Sequence, residues 1–188
     1  PLKVLWTAHR SRTSDETFKF MCALTKKPAI ARYVDGEPRR ANGQQEIAFM
    51  NGSRILFGAR ENGFGRGFDN VDVEVFDEAQ ILSERALDDM IPATNAARNP
   101  LIIYMGTPPK PSDPSEVFST RRHDALHGES DDTLYVAFSA DRDADPEDRE
   151  QWRRANPSYP APTGEAPIRR MRKNLGHDSF RPAGLGLL

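Results

Sequence analysis

Cysteine is nearly absent from this 188-residue chain, where Cys22 stands alone. That excludes an internal disulfide framework and fits a reducing compartment. A single free cysteine is expected as a small core side chain. Net charge is equally scarce: 26 basic and 28 acidic side chains leave a formal -2 at pH 7, so the chain as a whole is not drawn to a polyanion, and any surface for DNA must be local. No apolar run approaches the ~20 residues that cross a bilayer, and no signal-like segment opens the sequence. The expectation is a soluble, intracellular protein with no membrane partner. Internal repeats are lacking, and so is any GxxxxGKS/T phosphate loop.

What is present is organised around Val71 to Gln80, VDVEVFDEAQ, a strand-forming run that ends in the adjacent carboxylates Asp77 and Glu78. A strand that hands one acid to a metal ion and the next to a water molecule suits nucleotide hydrolysis. Val73, Val75 and Phe76 suit a central strand of a parallel sheet, whereas Glu74 interrupts the apolar run. Read by itself, the stretch also fits a half-exposed strand with alternating polar residues.

In chain order, Leu2 to Thr7 reads as a core strand, and Thr7 to Arg12 as the loop at its exit, where α/β folds place ligand contacts. His9, Arg10 and Arg12 in that loop are candidates for holding a phosphate backbone. A helix follows, with Thr13 and Glu16 as a capping box and Phe18, Met21, Cys22 and Leu24 as its apolar face. Asn51-Gly52 between EIAF and RILF predicts a hairpin. The segment from Gly58 to Phe68 carries four glycines in eleven residues and places Arg66 eleven positions before Asp77. Ser83 to Ile91 reads as a helix closed by Pro92, and Leu101 to Met105 as a second buried strand ending in Gly106-Thr107-Pro108-Pro109. A threonine at that strand mouth can bond a terminal phosphate or the attacking water.

Beyond a proline-rich connector at 110–114, a helix is expected around Glu116 to Leu126 and a strand at Thr133 to Phe138. The acidic run DRDADPEDR lacks the order of ligands and the glycine of a calcium loop, and reads as a solvated lead-in to a helix with Asp145 near its N-cap and Trp152 as its anchor. The basic stretch Ile168 to Lys173 suggests a helix, and Phe180 to Leu188 shows no periodicity.

VEVFDEAQ, preceded by GFGRGFDN and followed by IIYMGTPP and WRRANPSYP, resembles the ATPase domain of the large terminase subunit of tailed bacteriophages, from Val4 to about Leu175. The resemblance implies an α/β fold of the ASCE-type P-loop NTPases, a mostly parallel sheet with flanking helices, incomplete at the N-terminus. Residues 1–140 would be a partial ATPase core lacking Walker A, and 141–188 a lid or linker toward an absent nuclease domain. Asp77 would be the Walker B carboxylate on Mg2+, Glu78 the general base, Thr107 the coupling residue, and Arg66 an arginine finger acting in trans in a homo-oligomeric ring. ATP and Mg2+ are the implied cofactors of the complete domain. Double-stranded DNA, the portal and the small terminase subunit are the implied partners, and the host cytoplasm at the procapsid portal the implied location.

Departures accompany the resemblance. The Walker A loop expected before the first strand is missing, and Ser179 to Leu188 does not follow the family's pattern, so the chain is expected to be a middle piece, inactive by itself. A catalytically inactive prophage remnant or interaction module is the alternative from another class. A superfamily 2 helicase fragment fits less well, because no Ser-Ala-Thr-like motif stands at Gly106-Thr107-Pro108. A metal nuclease using Asp69, Asp72, Glu74, Asp77 and Glu78 fits least, because one strand cannot aim both faces at a single site.

Overall fold

β-Branched and aromatic runs form the strands, and their alternation decides which side chains meet which layer. The computed structural model describes residues 1–110 and 112–187, without the side chains of Asn62, His177 and Asp178. Pro111 of the expected connector and Leu188 of the expected aperiodic tail lie outside the described residues.

The elements run β1 (Lys3–Ala8), α1 (Ser11–Thr25), α2 (Pro28–Ala31), β2 (Gln45–Ala48), β3 (Arg54–Ala59), β4 (Val73–Phe76), α3 (Glu84–Met90), β5 (Leu101–Tyr104), α4 (Glu116–His127), α5 (Arg149–Ala155), α6 (Glu165–Asn174) and α7 (His177–Leu185). They divide into two compact units, one of residues 1–106 and 114–118 and one of 107–113 and 119–188. This is a division by packing; the expected division at residue 140 was one of role. No helix among the described residues is long and apolar enough to cross a membrane.

The first unit is a five-stranded sheet in the order β2-β3-β1-β4-β5. β3, β1, β4 and β5 are mutually parallel, and β2 is antiparallel to β3 through the Asn51-Gly52 turn, as the sequence predicts. Trp6, Ile55 and Phe57 point to one face, where Phe18 and Cys22 of α1 cover them. Leu5 and Leu56 point to the other, packed with Val71, Ala93, Phe64 and Phe68. On that face Phe76 and Tyr104 stack at 5.3 Å and join Leu82, Met90 and Val117. Two apolar faces and a parallel core are what a doubly covered α/β sheet requires.

Two local expectations are corrected. Helix α1 begins at Ser11, ahead of the expected Thr13 and Glu16 capping box, and no side chain of its own N-cap residue Arg10 caps it. Glu61 supplies the acceptor instead, its Oε1 receiving the Ser11 N–H at 3.0 Å, which also holds the Glu61 carboxyl below its usual range. A contact fifty residues away in sequence leaves no local signature.

Glu74 is the second. Rather than a half-exposed polar position, it is fully buried, in register with Leu5 on one side and Ile102 on the other. Neither carboxylate oxygen has a hydrogen-bond partner among the described residues, and burial pushes the group up to about 7. A neutral carboxylic acid tolerates this site better than an unpaired charge does.

In the second unit, Trp152 is fully buried with Tyr159, Ile168, Phe180, Leu185 and Leu187. Its indole N–H donates to the Pro146 carbonyl at 2.8 Å, and the Arg149 and Arg169 guanidiniums lie over its ring at 5.8 and 5.7 Å. Asp148, not Asp145, caps α5 by accepting from the Glu150 N–H at 2.8 Å. The expected strand at 133–138 is not formed: the run pairs with no strand among the described residues, and Leu134 is 88% exposed. High β-propensity alone does not make a strand without a ladder to join. Helix α7 occupies the stretch read as aperiodic, its pattern interrupted by Pro182 and by Gly184, where a Cβ would meet the Phe180 ring at 2.4 Å.

The Glu74 environment sets a pH dependence. With the folded group raised to about 7 from an unfolded value of 4.5, the folded state binds the extra proton, so stability is highest below pH 4.5, falls as pH rises to about 7, and is flat above. The loss is at most about 3 kcal/mol. Denaturant unfolding between pH 4.5 and 8 should show that slope in the native chain and lose it in Glu74→Gln.

Candidate functional site

Parallel strands in a sheet bring the loops at their carboxyl ends to one edge. Here that edge gathers His9 after β1, Arg60 after β3, Asp77 and Glu78 after β4, and Gly106 just beyond β5. The candidate acids of the sequence therefore lie where α/β folds bind ligands.

Arg60 organises this edge. Its side chain is buried, with Nη1 donating to the Thr7 carbonyl at 2.9 Å and to Thr7 Oγ1 at 3.1 Å. Nη2 donates to the Asp77 carbonyl at 2.8 Å and approaches the Glu78 carbonyl at 3.4 Å. The guanidinium also stands 5.9 Å from the Phe76 ring centroid. Burial lowers Arg60 to about 10, while the Glu78 and Asp77 charges oppose the fall. It stays protonated at neutral pH. Sequence reasoning passed over this residue; the only signal was an arginine placed immediately after a buried strand ending in Gly58-Ala59.

The acid pair is tied down from the backbone. Asp77 N–H donates to the Thr7 carbonyl at 2.8 Å, Ala79 N–H to the Met105 carbonyl at 2.8 Å, and Asp77 Oδ1 accepts the Glu78 N–H at 2.9 Å. Thr7 Oγ1 in turn donates to the Val75 carbonyl at 2.9 Å. These bonds hold Glu78 in the left-handed region at φ 54°, from which the short 3₁₀ turn Ala79–Ile81 starts. A non-glycine residue there carries strain of the order of 1–2 kcal/mol. Glu78 Oε2 and Gln80 Oε1 are buried with no hydrogen-bond partner among the described residues. A Cβ on Gly106 would meet Gln80 Oε1 at 2.6 Å, so glycine is the residue that lets the β5 exit lie against the DEAQ turn.

The other candidates are placed as follows. His9 is half-buried, and Arg10 and Arg12 are exposed in the β1–α1 loop and the first turn of α1. Arg66 is exposed and ion-paired with Asp89 of α3, on a loop that packs closely enough for a Cβ on Gly65 to meet Met90 Cγ at 2.7 Å. Among the described residues no contact joins Arg66 to the acid pair. Thr107 is exposed, follows Gly106, and begins the second unit.

Comparison with solved structures bears on this arrangement. The crystal structure of the HK97 bacteriophage large terminase superposes on 98% of this chain with a TM-score of 0.76 at 18% sequence identity. The two share a fold. It is the mixed α/β, P-loop NTPase-like fold of a large terminase, and this chain spans 39% of that terminase's length. No family model matches the sequence, and no curated protein matches it. The fold expected from the resemblance is thus the fold observed.

Strain at Glu78 has a measurable signature. Glu78→Gly should raise the unfolding free energy by about 1 kcal/mol, because glycine adopts positive φ freely and the orphaned carboxylate oxygen is removed. Glu78→Ala, which keeps the left-handed strain, should remain less stable than Glu78→Gly in the same urea titration.

Proposed function

We propose that this chain is the part of an ATP-driven DNA-packaging motor that carries the hydrolytic acid pair, in the manner of a large terminase subunit. The observation that carries the reading is the Asp77-Glu78 turn at the carboxyl edge of a terminase-like sheet, strained and clamped by Arg60. Rigidly positioned carboxylates are what in-line attack on a phosphate requires.

In this reading Asp77, oriented by the Glu78 N–H, would hold Mg2+, which when bound would supply neutralising charge to the phosphate oxygens. Glu78, with Oε2 buried and unpartnered, polarises the attacking water and accepts its proton. The residues fit such a group: two adjacent carboxylates, one with an orphaned oxygen, stand beside a buried arginine whose hydrogen bonds go to backbone carbonyls and a hydroxyl rather than to either carboxylate. Thr107 senses the terminal phosphate at the β5 exit. Arg66 exchanges Asp89 for the transition-state charge on a neighbouring subunit's nucleotide in a homo-oligomeric ring. His9, Arg10 and Arg12 face DNA. Residues 1–140 supply the ATPase core, and 141–188 a lid or linker region toward a nuclease domain; the portal and the small terminase subunit are the protein partners, at the procapsid in the host cytoplasm.

One observation favours a second reading, that of a non-catalytic remnant or interaction module: none of the 188 residues forms a GxxxxGKS/T loop. The two readings part on hydrolysis. The 188-residue chain taken alone should hydrolyse ATP negligibly. The product of the whole coding region that contains it should show Mg2+-dependent ATPase activity that falls by on the order of 100-fold or more in Glu78→Gln. Activity indifferent to Glu78→Gln and Asp77→Asn would exclude the acid pair, and no activity in that product would favour the remnant.

A further inference from the structure

The carboxyl end of α4 gathers four potential metal ligands within seven residues: His123, Asp124, His127 and Glu129. The helix stops at Gly128, which sits at φ 69°, and the Glu129 N–H donates to the Asp124 carbonyl at 2.8 Å. That is the long bond of a Schellman turn, and it folds the chain back over the last helical turn. Glu129 is thereby returned to the side chains one turn earlier. Its Oε2 lies 4.0 Å from His123 Nδ1, and Asp124 Oδ1 lies 3.7 Å from the same nitrogen. One ligand atom from each of the three falls within 4.8 Å of the others.

His127 steadies this group. Its Nδ1 is 2.9 Å from the His123 carbonyl, and since a carbonyl can only accept, Nδ1 carries the proton. The ring so fixed stacks on that of His123, with centroids 4.1 Å apart and planes 25° from parallel. The His123 imidazole is therefore supported on one face while its Nδ1 looks toward two carboxylates.

We propose that His123, Asp124 and Glu129 form a binding site for a divalent cation of the zinc class, with His127 as a positioning residue. Donor atoms around one ion with bonds of ~2.1 Å stand roughly 3.0–3.5 Å apart, so rotations of the exposed His123 and Glu129 and the half-buried Asp124 would bring separations of 3.7 and 4.0 Å, and at most 4.8 Å, to coordination distance. One imidazole and two carboxylates suit zinc and its transition-metal neighbours, whereas Mg2+ and Ca2+ prefer all-oxygen sets. Water completes the shell at this exposed position. The site lies in the second unit and uses none of the residues assigned to hydrolysis, so it stands whether or not that assignment does.

The same geometry would also suit a protonated imidazole paired with two carboxylates, and metal titration separates the two. Isothermal titration of the full chain with zinc chloride should give one saturable equivalent, unaffected by millimolar magnesium and weakened by acid, because protons compete with the metal for its ligands. His123→Ala and Glu129→Gln should each weaken it by on the order of tenfold or more, and His127→Phe, which keeps a stacking ring, by much less. Zinc-induced shifts of the His123 ring resonances in the unsubstituted chain give a reading that needs no variant to fold. Absence of saturable binding, or equal binding by the His123→Ala and Glu129→Gln chains, overturns the proposal in favour of the ion pair.

Discussion

A guanidinium taken out of water must be given back its hydrogen bonds, and the candidate site depends on how Arg60 meets that demand. It finds its acceptors in the Thr7 and Asp77 carbonyls and Thr7 Oγ1, with the Glu78 carbonyl at the limit. All are at the carboxyl ends of β1 and β4. One buried cation thus stitches three neighbouring strands, because Arg60 itself leaves β3. Removing it would take the guanidinium donor from the Asp77 carbonyl, at a cost of about 1–3 kcal/mol, while the Thr7 carbonyl keeps the Asp77 N–H. The Glu78 and Asp77 charges in turn help to keep the buried Arg60 guanidinium protonated.

The Glu78 turn shows how packing sets chemistry. A glutamate at positive φ is locally unfavourable, yet the chain on both sides is committed: Phe76 is stacked on Tyr104, and Ala79 is buried and bonded to Met105. The left-handed residue is what remains when both flanks are satisfied. The strain is concentrated in one side chain at the sheet edge, where a carboxylate can face a ligand instead of the core.

Much of the fold was legible in the sequence. The hairpin at Asn51-Gly52, the apolar face of α1, the buried strand β4, and Trp152 as the anchor of α5 each rest on local rules of turn chemistry and periodicity, whereas β5, expected to be buried, is an edge strand with Leu101 54% exposed. What was not legible depends on distant partners. Glu61 capping α1, Arg60 reaching Thr7, and Gln80 lying against Gly106 join residues 26 to 53 positions apart. Glu74 interrupted the apolar run expected of a central strand, and its burial became plain only from the register that places it between Leu5 and Ile102. The acid pair itself was plain from its residues, but its left-handed backbone was not.

The run at 133–138 has a consequence for how the molecule behaves in a crowded solution. Leu134, Val136 and Phe138 are 88, 64 and 58% exposed, and the stretch TLYVAF contains neither proline nor charge. Such segments self-associate edge to edge when concentrated. Glu129, Asp131 and Asp132 before it and Asp141, Arg142 and Asp143 after it are the charges that flank the run in sequence, and flanking charges of this kind act as gatekeepers. Resistance of this run to self-association therefore falls to charges on either side of it rather than to any residue within it.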